Sequence, residues 1–368
     1  MRVAILTQPL RTNYGGILQN YALQQCLKEM GHEVCTLDES GTKPLSLGKF
    51  VKRAGNVLLG RIPASYLFYE KHYRRDYDIF AQATRDFVKA HIDLYPYQKI
   101  GKDLAPELFD AYVVGSDQVW RPGYNHIGRM FLDFTEGWEV RRIAYAASFG
   151  VDSWEYTPEE TKRCAALASR FDAVSVREAS GIPLCEHYLG VPATQVLDPT
   201  MLLTKEHYTS LIDRVKTVPS EGQLFVHVLD PAPSKQKFIG RLAVEYGVKP
   251  FRCNQEEEEG RLEIPIEKRI QPPVEQWLRS FLEAEYVITD SFHATVFAIL
   301  FNKPFLVWAN PGRGATRIRS LLDGFGLEDC LISESSAPSF PGIDYLRANF
   351  SLERFRQASK DFLSTHLK

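Results

Sequence analysis

Residues Tyr286 to Val307 read YVITDSFHATVFAILFNKPFLV, and they leave little freedom about the fold around them. The stretch opens on a β-rich run, Tyr286-Val287-Ile288-Thr289, followed by two good N-cap residues, Asp290 and Ser291. A run of small and apolar residues with helical character comes next, closed by Asn302-Lys303-Pro304, and an apolar strand begins at Phe305. A strand, a capped helix and a second strand in such close order are the parts of a parallel α/β sheet. The pattern puts His293 in the first helical turn, where backbone N–H groups are free and the helix dipole is positive. That turn lies at the carboxyl edge of a parallel sheet, where open α/β folds bind ligands, so the histidine is placed to meet an anion.

The same rhythm recurs along the chain. Val3 to Thr7 reads as a buried strand, Ile17 to Met30 as a helix stopped by Gly31, and Glu33 to Leu37 as the next strand. Further strands are expected at 111–114, 143–147, 173–176, 195–197, 224–229, 248–252 and 305–307, several of them ending in a polar cluster. With 368 residues the chain is too long for one ordinary core and suits two α/β domains. The expected division is 1–200 and 201–345, each Rossmann-like and doubly wound, with a terminal helix over 346–368 packing back on the first domain.

Composition removes several function classes. A formal net charge of −2 argues against nucleic acid as a partner. Apolar runs all fall short of the roughly 18–20 residues of a membrane span. The start MRVAILTQPLRTN lacks the features of a signal peptide and reads as a first strand. Six scattered cysteines form no CxxC pair, which suits free thiols in a reducing cytoplasm. Between Lys43 and Arg75 the α/β pattern breaks into a helical insertion with eight Lys or Arg, one acid (Glu70) and interleaved aromatics. Such a segment suits a membrane surface or a bulky anionic acceptor, or forms a solvated helical excursion, as charge runs usually do.

Candidate site residues come from separate segments. Asn13-Tyr14-Gly15-Gly16 lies between the first strand and helix, where two glycines let the backbone turn tightly and approach a ligand. It is neither GxGxxG nor a Walker loop, so no dinucleotide or ATP reading follows. Asp117, in VVGSDQVW, follows a buried strand and reads either as a general base toward a hydroxyl or as a helix cap. Arg177, in AVSVREASG, offers a fork for carboxylate or phosphate, or a salt bridge to Glu178 or a neighbour. Ser148 ends another strand. Arg313, Arg317 and Arg319 cluster after the last apolar strand and suit an anion-closing loop or a solvated basic one. Imidazole is the side chain suited to moving a proton near neutral pH, and His293 is the strongest single candidate for proton transfer.

Taken in order, NYGGILQNYALQQ, VVGSDQVW, YAASFG, SVREASG, VLDPT and ITDSFHATVFAILFNKPF resemble the polysaccharide pyruvyl transferase family over most of the chain. The resemblance implies two Rossmann-like domains facing across a cleft, as in GT-B glycosyltransferases. It also implies transfer of pyruvate from phosphoenolpyruvate to a sugar, usually as a ketal bridging two hydroxyls. His293 and Asp117 would be catalytic. Arg177, Ser291, Arg313, Arg317 and Arg319 would hold the donor, and Asn13, Tyr14, Gly15, Gly16, Gln19 and Ser148 would line the acceptor side. The implied partners are phosphoenolpyruvate and a sugar or lipid-linked saccharide, with peripheral contact at the inner membrane face through the insertion. No ligand cluster for a metal is visible, and no cofactor beyond the donor substrate is expected. Many members carry arginine where this chain has Ser291, so one of the loop arginines replaces it or the donor differs. Two other readings stay open: a GT-B glycosyltransferase using a nucleotide sugar, and a binding module that keeps the fold without turnover.

Overall fold

The structure is a computed structural model that describes residues 1–39, 47–254, 262–309, 314–333 and 335–368. The first sheet consists of β1 (Arg2–Leu6), β2 (Glu33–Glu39), β3 (Leu94–Tyr97), β4 (Ala111–Gly115), β5 (Arg141–Ala147), β6 (Ala173–Val176) and β7 (Thr194–Gln195). These pair in parallel in the order β3-β2-β1-β4-β5-β6-β7. The chain builds outward from β1 through β2 and β3, then returns to build the other side from β4. The loops after β1 and β4 therefore diverge at a switch point, where doubly wound sheets open a crevice. The segment that enters the Tyr14–Glu29 helix and the turn at Asp117 flank that point.

The second sheet consists of β8 (Leu224–His227), β9 (Pro250–Phe251), β10 (Tyr286–Thr289), β11 (Phe305–Trp308) and β12 (Leu331–Ile332), also parallel, in the order β12-β11-β10-β8-β9. Its switch point lies between β8 and β10, so the turn at Asp290-Ser291 sits at a crevice of its own. Both halves are thus Rossmann-like and doubly wound, and they face one another across a cleft. Two short strands, β3 and β12, lie outside the sequence expectation. Each sits at a sheet edge, where burial is incomplete and the apolar run that marks a central strand is missing.

Local signals account for the elements that carry the site. Asn13 caps the Tyr14–Glu29 helix by accepting a hydrogen bond from Gly16 N, and Gly31 leaves it at φ +87°. Ser291 caps the Phe292–Leu300 helix by accepting from Ala294 N, and all nine residues of that helix are buried. A helix buried on every side must be apolar all round, which is the composition of FHATVFAIL. One continuous core joins Ile17, Leu18 and Ala22 of the first helix to Phe225, Val287, Phe297 and Phe305 of the second half. The terminal helix runs Tyr345–His366, close to the expected 346–368, and Asp344 caps it by accepting from Arg347 N. It spans both halves: Leu352 packs in the shared core, while Leu363 joins Val3 and Ile5 under the first sheet.

The insertion after β2 forms two main helices, Leu47–Leu58 and Tyr69–Phe80, with a short 3-10 turn between them. It reaches the second half through a buried Asp76–Arg269 ion pair at 2.7 Å, and through Tyr66 Oη donating to Glu263 at 2.9 Å. All six cysteines are free thiols, five of them buried.

Candidate active site

Polar residues at the carboxyl ends of the first sheet's strands converge with the Phe292–Leu300 helix of the second. Arg177, just past β6, donates from Nη1 to Asp198 Oδ2 at 2.8 Å and from Nη2 to Asp117 Oδ1 at 3.2 Å. Arg317, from the Ala315–Phe325 helix, reaches the same Asp117 oxygen at 3.4 Å. His293 Nε2 stands 3.6 Å from Asp198 Oδ2, close enough for ion pairing and too far for a hydrogen bond. Every one of these side chains is more than nine-tenths buried.

Each position has a local cause. Asp117 sits at φ +62° in the turn after β4, a left-handed conformation that Asp tolerates better than most residues. It pairs with two arginines and does not cap a helix. Arg177 pairs with two aspartates and not with adjacent Glu178. Glu178 instead accepts from Ser148 Oγ and Phe149 N, both at 3.0 Å, and from Gly150 N at 3.3 Å, which fixes the turn after β5. Asp198 also accepts from Ser116 Oγ at 3.2 Å and from Thr200 N and Oγ1 at 3.0 and 2.7 Å. Phe292 inserts its ring beside both arginines, with guanidinium carbons 4.3 and 5.5 Å from the centroid.

Burial alone would raise the Asp198 carboxyl, but His293, Arg177 and Thr200 outweigh it and hold the group far below the usual carboxylate range. Asp117 follows the same logic: burial pushes it up, and Arg177, His293 and Arg317 bring it below its ordinary value. Burial and the neighbouring Arg177 lower Arg317 to about 10. The two aspartates and two arginines neutralise one another, and the buried Glu178 acts on both arginines as a further carboxylate. The sequence left Arg177 open to either an anion or a salt bridge with Glu178 or a neighbour. The structure shows cations already held by carboxylates, which an incoming anion must share or displace.

The glycine pair acts on the same histidine. A Cβ on Gly15 would lie 2.1 Å from His293 Nδ1, so bare backbone packs directly on the imidazole across the interface between the halves. Tyr14 is buried against Trp277, with ring centroids 5.3 Å apart, and donates to Pro272 O at 2.7 Å. Gln19 Nε2 donates to Thr7 Oγ1 and Gly16 O, both at 3.0 Å, bracing the loop after β1. Asn13 is exposed in its capping role, and Ser291 is likewise a cap. Arg319 is exposed and stands apart from the cluster. Arg313 lies outside the described residues. A cavity of about 120 Å³ opens beside the cluster, with Arg177, Asp198, Phe292 and Arg317 at one end and Leu321, Phe325 and Phe355 at the other.

Asp198 and Phe292 are central here and went unassigned among the sequence candidates. Asp198 carries the signal that marked Asp117, a polar residue closing an apolar run. The aromatic before His293 carries no such mark.

The family model for polysaccharide pyruvyl transferases matches residues 13–311. The chain belongs to that family. The matched span begins at the helix cap Asn13 and contains Asp117, Arg177, Asp198 and His293, so most of the cluster falls inside the family region, with Arg317 just beyond it. No curated protein matches the chain. Among solved structures, the chain is similar to UDP-GlcNAc 2-epimerase from Neisseria meningitidis bound to UDP-GlcNAc, at 10% identity and a TM-score of 0.48, covering 100% of this chain and 99% of the other. It is also similar to UDP-GlcNAc 2-epimerase from Methanocaldococcus jannaschii, at 11% identity and TM-score 0.45, over 96% and 92%. A third likeness is to Acinetobacter baumannii MurG, at 11% identity and TM-score 0.41, over 99% and 93%. Among the described residues of this family member, no helix is long and apolar enough to cross a membrane.

Proposed function

We propose that this transferase moves pyruvate from phosphoenolpyruvate onto a sugar of a cell-surface polysaccharide or its precursor, forming a ketal. The observation that carries the reading is the convergence of Arg177, Arg317 and His293 on one buried cluster inside a chain of this family. Phosphoenolpyruvate carries carboxylate and phosphate close together, and guanidinium forks bind both bidentately. Arg317 supplies the positive charge that Ser291 lacks.

In the proposed reaction the methylene carbon of the enol gains a proton and an acceptor hydroxyl bonds to C2. The C2–O bond to phosphate then breaks, and a second hydroxyl closes the ketal at C2. Of the two hydroxyl protons, one is accounted for on the new methyl group and one on the departing phosphate. His293 delivers the proton, with the Asp198 carboxylate 3.6 Å from its Nε2 as the nearest counter-charge. Asp117 orients an acceptor hydroxyl as the arginines turn toward the donor. The cavity of about 120 Å³ falls below the roughly 300 Å³ of common ligand sites. The arrangement described here is therefore a closed one, and an acceptor enters when the halves part.

Phosphate release from phosphoenolpyruvate, measured with a panel of candidate sugars, tests the assignment. His293→Ala is expected to lower the rate at least a hundredfold with the responding acceptor, a typical general-acid contribution of about 10²–10⁴. Release at the unmodified rate would remove His293 from the chemistry. Thermal-shift titration gives an independent test, because only a ligand of the native state raises the melting temperature. Phosphoenolpyruvate is expected to stabilise the protein and nucleotide sugars to leave it unchanged; the reverse would favour glycosyl transfer.

A further inference from the structure

The insertion that follows β2 carries an apolar surface with no covering element among the described residues. Val51 and Leu58 lie seven residues apart in the Leu47–Leu58 helix and so share one face. They are 61% and 88% exposed, and Leu59 and Phe68 beside them are 66% and 54% exposed. Gly55 lies between the first two, and a Cβ built on it would meet nothing within 4 Å, so the face opens directly to solvent. Phe68 is braced within this stripe by Phe50, with centroids 6.2 Å apart.

The charge around the patch is one-sided. Lys52 and Arg61 are exposed and have no carboxylate partner among the described residues. The segment's acid, Glu70, is occupied by Arg53, which donates to it at 2.7 Å. An apolar ridge flanked by unneutralised cations complements a surface that is greasy beneath and anionic on top. A second copy of this chain would place like charges against one another around the patch, and a neutral protein groove would leave the cations unmatched.

We propose that the tip of this insertion docks on a bilayer carrying anionic lipid headgroups, with Val51, Leu58, Leu59 and Phe68 entering the headgroup–acyl boundary and Lys52 and Arg61 meeting lipid phosphates. The same insertion is bolted to the second half by Asp76–Arg269 and Tyr66–Glu263, so a docked tip holds the cleft between the halves at a fixed distance from the membrane. This serves an acceptor that is itself lipid-anchored. The docking rests on the insertion alone and not on the donor chemistry.

Flotation of the full chain with vesicles tests it. Binding is expected to vesicles of phosphatidylcholine with a third phosphatidylglycerol, and to be at least tenfold weaker on phosphatidylcholine alone or when salt is raised from 0.05 to 0.5 M. Leu58→Asp with Leu59→Asp, and separately Lys52→Glu with Arg61→Glu, are each expected to lower binding at least tenfold. The melting temperature and phosphate release with a soluble acceptor are expected to stay unchanged. Failure to bind anionic vesicles, or binding that both variant pairs leave intact, would overturn the proposal. So would a concentration-dependent dimer in sedimentation velocity that Leu58→Asp with Leu59→Asp abolishes, which would assign the face to a second copy. Loss of transfer with vesicle binding intact would count against the donor reading only.

Discussion

The backbone of Gly15 lies against the imidazole of His293 so closely that a methyl group there would sit 2.1 Å from Nδ1. One residue belongs to the first helix of the first half and the other to the buried helix of the second. The contact makes the position of the candidate proton donor depend on how the two halves are docked.

Gly15→Ala therefore forces either the ring or the interface to move. The overlap is expected to destabilise the protein by about 1–3 kcal/mol, as overpacking of a dense core does. Transfer is expected to fall at least tenfold, since the ring leaves Asp198. The control is Gly16→Ala, where the added Cβ would meet Asn13 Nδ2 at 3.4 Å, an ordinary contact. That variant is expected to be neutral or up to about 1 kcal/mol more stable, from helix propensity. Urea unfolding and phosphate release, run on both variants, check the contrast.

Asp198→Asn keeps the shape and removes the charge that Arg177 and His293 face. Breaking one partner of a buried pair is expected to cost about 3–5 kcal/mol in urea unfolding. The acid side follows by linkage. Asp117 and Asp198 have folded values below their unfolded ones, so they contribute fully above about pH 4 and lose that contribution as pH falls toward the folded values. The variant is expected to show a shallower decline of stability below about pH 4 than the unmodified protein.

His227 ends β8 in the buried crevice of the second sheet. Burial pushes its imidazole down to about 4, and the nearby Asp290 only partly opposes this. Trp277 Nε1 donates to its Nδ1 at 3.3 Å, which requires an unprotonated acceptor there. The unfolded chain takes up a proton more readily, so this contribution is complete above about pH 6.5 and is lost as pH falls toward 4. The total is on the order of 3 kcal/mol, given about 1.4 kcal/mol per pH unit. His227→Gln is expected to flatten unfolding free energy between those two values, as measured by urea titration at several pH values.

The Asp76–Arg269 pair ties the insertion to the second half at 2.7 Å, both side chains being buried. Asp76→Ala is expected to cost up to about 3–5 kcal/mol by breaking the buried pair, and Arg269→Ala less, because Arg75 still reaches Asp76 at 2.8 Å. The double variant is expected to cost less than the sum by at least about 1 kcal/mol, and a double-mutant cycle in urea reads that coupling.

Central elements were legible from sequence because burial on both faces writes long apolar runs. The strands at β1, β4, β6 and β10 and the capped helix at His293 all carried that mark. Edge strands such as β3 and β12 did not, being short and half-solvated. At the site, polar residues closing apolar runs pointed to Asp117 and Arg177. The pairing of those same residues through Asp198 depends on how strands β4, β6 and β7 align in the sheet, which no local pattern encodes. Arg317 and Arg319 look alike in sequence, yet two positions along a helix turn one inward and leave the other in water.

Leu363 and Leu367 complete the packing around Val3 and Ile5. On the ribosome those two strand residues emerge long before their leucine neighbours. At roughly 5–20 residues per second the opening strand waits on the order of twenty seconds or more for its cover. The nascent first half therefore reaches its finished form only after the Tyr345–His366 helix has emerged, and until then it presents an apolar surface for chaperones to shield.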